Sequence, residues 1–162
     1  MSEFPFTAAA TLGAVSGMQS TMAPAVISWA AQKSGLDLES TPFSAFKGPG
    51  IGRTAAALVL GELVADKAPF VPQRSPGTAL LTRAISGGAA GAAVFKARRR
   101  SIILGAAVGA LAAVGAAYAT FYLRKSTARY FKLSDRAVAL AEDGIALAAG
   151  LVAVSMAKPD RG

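Results

Sequence analysis

From Ser101 to Leu123 the chain runs for 23 residues without a charge. A helix of about 20 apolar residues crosses the hydrocarbon of a bilayer, and a helix can satisfy its own backbone there. A second uncharged run, Phe4 to Gln32, is 29 residues long. These two runs constrain the fold more than any other feature. Hydrophobic types make up 53 % of the 162 residues and charged types 16 %, against roughly a quarter charged in soluble domains. With 38 Ala and 17 Gly, a third of the chain is one of the two smallest residues. So apolar a chain is not disordered. With no Cys it is not a disulfide scaffold. The length suits one domain over residues 1–162.

Charges and prolines divide the chain into apolar segments at about 6–32, 51–67, 77–95, 101–123 and 137–157. The expected fold is all-α: a polytopic membrane helix bundle of four to five spans. The first segment is interrupted by Ser16-Gly17-Met18-Gln19-Ser20-Thr21-Met22-Ala23-Pro24. Pro24 cannot donate to the carbonyl one turn back, so a kink or break is expected between Gly17 and Pro24. Such a break is tolerated at membrane depth only when it is buried in protein or faces a water-filled cavity. The second segment is short before Pro69 and either crosses or re-enters. Tyr118, Phe121 and Tyr122 beside Arg124 and Lys125 resemble an interfacial aromatic belt. No Lys or Arg precedes Lys33, so the first apolar stretch lacks the basic start of a signal peptide and is expected to stay in the mature protein.

The net charge of +8 is clustered between the apolar runs, at Lys96, Arg98, Arg99 and Arg100 and again at Arg124, Lys125, Arg129, Lys132 and Arg136. Those are the flanks of membrane spans, where cations meet lipid phosphates. No nucleic-acid fold accompanies them, so membrane lipids are the expected partners and nucleic acid is not. With five spans, one side collects Lys67, Arg74, Arg124, Lys125, Arg129, Lys132 and Arg136, which is 7. The other collects Lys33, Lys47, Arg53, Lys96, Arg98, Arg99, Arg100, Lys158 and Arg161, which is 9. The near balance leaves orientation coupled to span count. Small residues recur at four-residue spacing as Gly13/Gly17, Gly87/Gly91 and Gly105/Gly109. In lipid, such faces let helix backbones approach within one subunit or across a homo-oligomer, and a homo-oligomer is expected.

Without His or Cys, a zinc site of the usual kind and a Ser–His–Asp or Cys–His nucleophile are excluded. The Gly-rich stretch at Gly48-Pro49-Gly50 lacks the P-loop lysine. No cofactor, metal or catalytic residue is expected. The polar residues inside the apolar segments are the candidates for function: Ser16, Gln19, Ser20, Thr21, Glu62, Asp66, Arg83, Glu142 and Asp143, with Pro24 as a structural helix breaker. Glu62 and Asp66 share one helix face at i, i+4. Charges at membrane depth are costly and are usually turned inward and paired. They either lock helices together, Arg83 being the leading partner for Glu62, or line a polar path. A faint duplication relates Gly61 to Asp66 with Leu140 to Gly144, and corresponding broken helices hold binding sites in transporters built from inverted repeats.

The block Gly61-Glu62-Leu63-Val64-Ala65-Asp66-Lys67-Ala68-Pro69-Phe70-Val71-Pro72, with Arg74 and Arg83 after it, resembles the signature of an uncharacterised bacterial membrane-protein family catalogued as domain of unknown function 4126. Ser16 to Pro24, Tyr122-Leu123-Arg124 and Ala141-Glu142-Asp143 are similar to further positions of that family, with Gln19 standing where its pattern has Arg. The resemblance implies a multi-pass protein of the bacterial inner membrane and supplies no activity. The residues point to a channel or secondary transporter for a small solute or ion, its polar path lined by the broken first helix and buried acids. The alternative is a non-catalytic structural or lipid-interacting protein whose charges only hold the bundle. A membrane enzyme acting on lipids is disfavoured, because only isolated carboxylates are present.

Overall fold

A computed structural model describes residues 4–33, 50, 76–130 and 135–157. Among them the chain is helical, with no strand: α1 (Phe4–Met18), α2 (Met22–Lys33), α3 (Pro76–Ala97), α4 (Ile102–Tyr130) and α5 (Asp135–Ala157). Pro76 opens α3, where a missing amide costs nothing because the first helical N–H groups have no intrahelical partner. Gly77–Ala97 and Ile102–Leu123, of 21 and 22 residues, are long and apolar enough to cross a membrane. At a rise of about 1.5 Å per residue each extends some 32 Å, close to the roughly 30 Å of bilayer hydrocarbon.

α1 lies at the centre of the bundle, against α3, α4 and α5, while α2 rests on α5 and α3. α3 and α4 form an antiparallel hairpin. α1 runs antiparallel to α3, its Phe6 ring 4.9 Å from that of Phe95 and in edge contact. Further along α1, Gly13 meets Gly109 and Gly17 meets Ala113. The three helices therefore touch along Gly13, Gly87 and Gly109, and α3 and α4 touch again at Gly91 and Gly105. Each of these glycines sits directly on a neighbouring backbone. A Cβ added at Gly105 would fall 2.5 Å from the Gly91 carbonyl oxygen and 2.7 Å from the Phe95 side chain. One added at Gly87 would fall 2.7 Å from the Gly109 oxygen. Real Cβ atoms do not approach so closely, so these positions admit hydrogen alone.

The outer surface follows the opposite rule. On α4 the inward positions are Gly105, Gly109, Ala113 and Ala117, all buried. The outward ones include Ile103 at 82 % exposure and Leu111 at 74 %, with Tyr118, Phe121 and Tyr122 also exposed. A soluble bundle buries its large side chains and exposes polar ones. On α4 small residues make the seam and bulky apolar ones face out, the arrangement expected where the solvent is itself apolar.

The turn from α3 to α4 is closed by backbone geometry. The Arg100 amide donates to the Phe95 carbonyl at 2.8 Å and the Arg99 amide to the Lys96 carbonyl at 2.8 Å. Together these bonds make a Schellman cap, whose third-from-last turn carbonyl and left-handed residue are Phe95 and Arg99. Arg99 has φ 53°, in the region that glycine enters freely and other residues enter at a cost. The Arg98 guanidinium then bonds the Met156 carbonyl at 2.7 Å, tying the end of α5 to this turn.

Two glycines of α4 should respond to alanine with opposite signs. Gly109→Ala pushes a methyl into the α3 backbone and should cost about 1–3 kcal/mol, as overpacking does. Gly115, where an added Cβ meets nothing within 4 Å, should gain from alanine, by up to about 1 kcal/mol of helix propensity. Thermal unfolding in mild detergent reads both. Equal responses would contradict the seam. By the same assay Arg99→Gly should stabilise the fold by about 1 kcal/mol through relief of the left-handed conformation, and Arg99→Val should destabilise it.

Candidate polar site at the α1–α2 break

α1 ends in regular fashion, the Gln19 amide donating to the Val15 carbonyl at 2.8 Å. Ser20 and Thr21 form a turn, and the Ala25 amide opens α2 by donating to the Thr21 carbonyl at 3.1 Å. Thr21 is thus the N-cap residue of α2. Pro24 falls in the first turn of α2, where its missing amide removes an orphan donor rather than a helical bond. In a continuous helix the residue at 24 would donate to the Ser20 carbonyl. Proline cannot, and the donor comes from α3 instead: the Ser86 hydroxyl bonds the Ser20 carbonyl. Ser86 Oγ also lies 3.2 Å from Ser16 Oγ. A hydroxyl has one proton to give, and that of Ser86 is committed to Ser20, so Ser16 donates to Ser86. The chain Ser16, Ser86, Ser20 clasps the break to the middle of α3.

Two further polar groups at and beyond the break stand differently. Gln19 is 4 % exposed and Ser28 fully buried. Gln19 Oε1 and Ser28 Oγ have no hydrogen-bond partner among the described residues. An unmade bond at a buried polar atom costs about 1–3 kcal/mol, so each is a place where a polar guest or a water would be welcome.

The other sequence candidates are spread over the bundle. Ser16, Gln19 and Ser20 are buried together at the break, with Thr21 half-buried beside them. Arg83 is half-buried on α3, one turn before Ser86 and Gly87, and forms no ion pair among the described residues. Asp143 is half-buried on α5. The backbone at Glu142 belongs to α5, but its side chain lies outside the described residues, as do Glu62 and Asp66 altogether. The pairing expected between Glu62 and Arg83 therefore falls outside what the structure describes. No group of three or more metal-binding side chains occurs among the described residues. Ser86 and Ser28 were not among the sequence candidates. The signal for Ser86 was its setting: Ser86-Gly87 on α3 repeats Ser16-Gly17 on α1, and the two serines meet.

No curated protein and no solved structure matches the chain. A family profile described as a domain of unknown function matches residues 6–158, nearly the whole chain and all five described helices except the first two residues of α1. The chain belongs to that family, Domain of unknown function (DUF4126).

Proposed function

We propose that this protein is a multi-pass protein of the bacterial inner membrane that passes a small polar solute or ion, with the α1–α2 break as its polar station. The observation that carries this is the Gln19 amide oxygen, buried and without a hydrogen-bond partner among the described residues, at an interruption between two apolar helices. Glu62, Asp66, Arg83, Glu142 and Asp143 would supply the remaining polar groups of the path. The outward-facing bulky residues of α4 support the membrane setting.

Contacts along the bundle support a re-entrant course for α1 and α2. Gln19 is about 20 Å along α1 from Phe6 at 1.5 Å per residue, and Phe6 packs on Phe95 beside the α3–α4 turn. Gly150 is only about 9 Å along α5 from Met156, which Arg98 holds at that same turn. A Cβ on Gly150 would lie 3.2 Å from Val26 of α2. Val26 thus belongs nearer the turn than Gln19 does, although it comes later in the chain. In this reading α2 returns toward the side from which α1 entered, and Gln19, Ser20 and Thr21 form the tip. Gly144 on α5, exposed and with open space at the Cβ, is a small-residue position open to a second copy in a homo-oligomer.

A second reading draws on the Ser16, Ser86, Ser20 clasp, which is fully used in holding helices together. In that reading the bundle is a structural or lipid-interacting protein and carries nothing. Purified protein in liposomes separates the two, with glycerol and urea followed by light scattering and potassium by a potential-sensitive dye. Transport predicts passage of at least one probe above protein-free vesicles, and a loss of about tenfold in Gln19→Leu, in keeping with one lost hydrogen bond to the passing guest. If no probe passes, or if Gln19→Leu passes it unchanged, the transport reading fails. Ser86→Ala should lower thermal stability by about 1–3 kcal/mol in either reading, because it removes the hydroxyl that bonds both the Ser20 carbonyl and Ser16. An unchanged unfolding temperature would contradict the clasp.

A further inference from the structure

We infer that the α3–α4 turn binds the phosphate of an anionic phospholipid, with Lys96, Arg99 and Arg100 as its cations and the first turn of α4 against the acyl chains. The four basic residues of this turn divide by what they touch. Arg98 is engaged with the Met156 carbonyl. Lys96, Arg99 and Arg100 form no ion pair among the described residues, and Arg99 is exposed. One cation near the end of α3 offsets the helix dipole there. Three in five residues, without a described acid, form a site for a compact anion.

The backbone gives Arg99 an unusual place. The left-handed position of a Schellman cap is ordinarily glycine, and an arginine in it, at φ 53°, costs stability. The side chain is present despite that cost, displayed at the apex of the turn beside Arg100. Phosphate suits it, since guanidinium groups match phosphate oxygens in pairs.

The surroundings choose the source of the phosphate. Directly after the cations come Ile102, Ile103 and Leu104, exposed by 37 %, 82 % and 46 %. Leu111 continues the same outward apolar surface at 74 % exposure. A free phosphate ion would leave that surface uncovered. A phospholipid places its phosphate at the turn and its chains along α4, covering charge and apolar area with one molecule. Ser101, whose hydroxyl caps the Leu104 amide at 3.4 Å, marks the boundary between the two regions. This inference rests on the proposed membrane setting and not on whether a solute passes at Gln19.

The test uses the full chain in mild detergent, with phosphatidylglycerol, phosphatidylcholine and inorganic phosphate as probes. Binding is read by native mass spectrometry and by the shift in unfolding temperature. Phosphatidylglycerol should bind at least about fivefold tighter than phosphatidylcholine, and each cation removed should weaken it about fivefold. Arg99→Gly should unfold at the same or a higher temperature without lipid and yet lose that factor, so that loss of binding is not loss of fold. Arg99→Gln with Arg100→Gln should lose about 25-fold, and Arg99→Lys should retain most of the affinity. Equal binding of the two lipids, displacement of phosphatidylglycerol by equimolar inorganic phosphate, or unaltered affinity in Arg99→Gly would each overturn the assignment.

Discussion

The structure depends on direct contact between helix backbones. At Gly13, Gly87 and Gly109, α1, α3 and α4 approach with no side chain between them. In the membrane setting proposed above, burying a leucine instead would gain little, because lipid solvates leucine as well as protein does. Close approach gains dispersion contacts between backbones that lipid cannot match. The seam also sets the register. Gly91 opposite Gly105, Gly87 opposite Gly109 and Gly17 opposite Ala113 fix how far each helix is slid along its neighbours.

That register is what brings Ser86 to the break. Ser86 is the residue before Gly87, which meets Gly13 of α1, and Ser16 lies one turn further along α1 from Gly13, so the contact between those two glycines carries the serines into reach. The hydroxyl of α3 then replaces the amide that Pro24 lacks. The break between α1 and α2 is thus held by tertiary packing and costs little where Ser86 reaches it. Gln19, one residue before Ser20, receives no such partner from the described residues. Within three residues the break contains one polar group that is satisfied by the fold and one that is left for something else.

Much of this was legible in the sequence. The uncharged run ending at Leu123 and the four-residue spacing of small residues gave the all-helical class and the glycine faces, because both are local patterns. The polar stretch from Ser16 to Pro24 marked where α1 and α2 separate. The agent of the separation was less legible: Pro24 sits in the first turn of α2, and the turn itself falls at Ser20 and Thr21. Ser86 could not be identified as a partner, because which serine meets a freed carbonyl depends on helix register rather than on neighbours in the chain. Arg99 was equally hidden, since a left-handed helix cap is recognised in sequence by glycine. The acids at Glu62 and Asp66 lie outside the described residues, so their part in the site rests on their spacing alone.

The glycine seam brings α1 against α3 at the break that follows α1. The chain has no cysteine, so a pair introduced as Ser16→Cys and Ser86→Cys can be oxidised in native membranes without background. The two hydroxyl oxygens are 3.2 Å apart, and sulfurs in their place are positioned to bond. Mass spectrometry of the intact monomer should show loss of two hydrogens in this pair and not in Ser16→Cys with Leu81→Cys, because Leu81 is exposed on a different part of α3. Free thiols in the first pair, or equal bonding in both, would contradict the account.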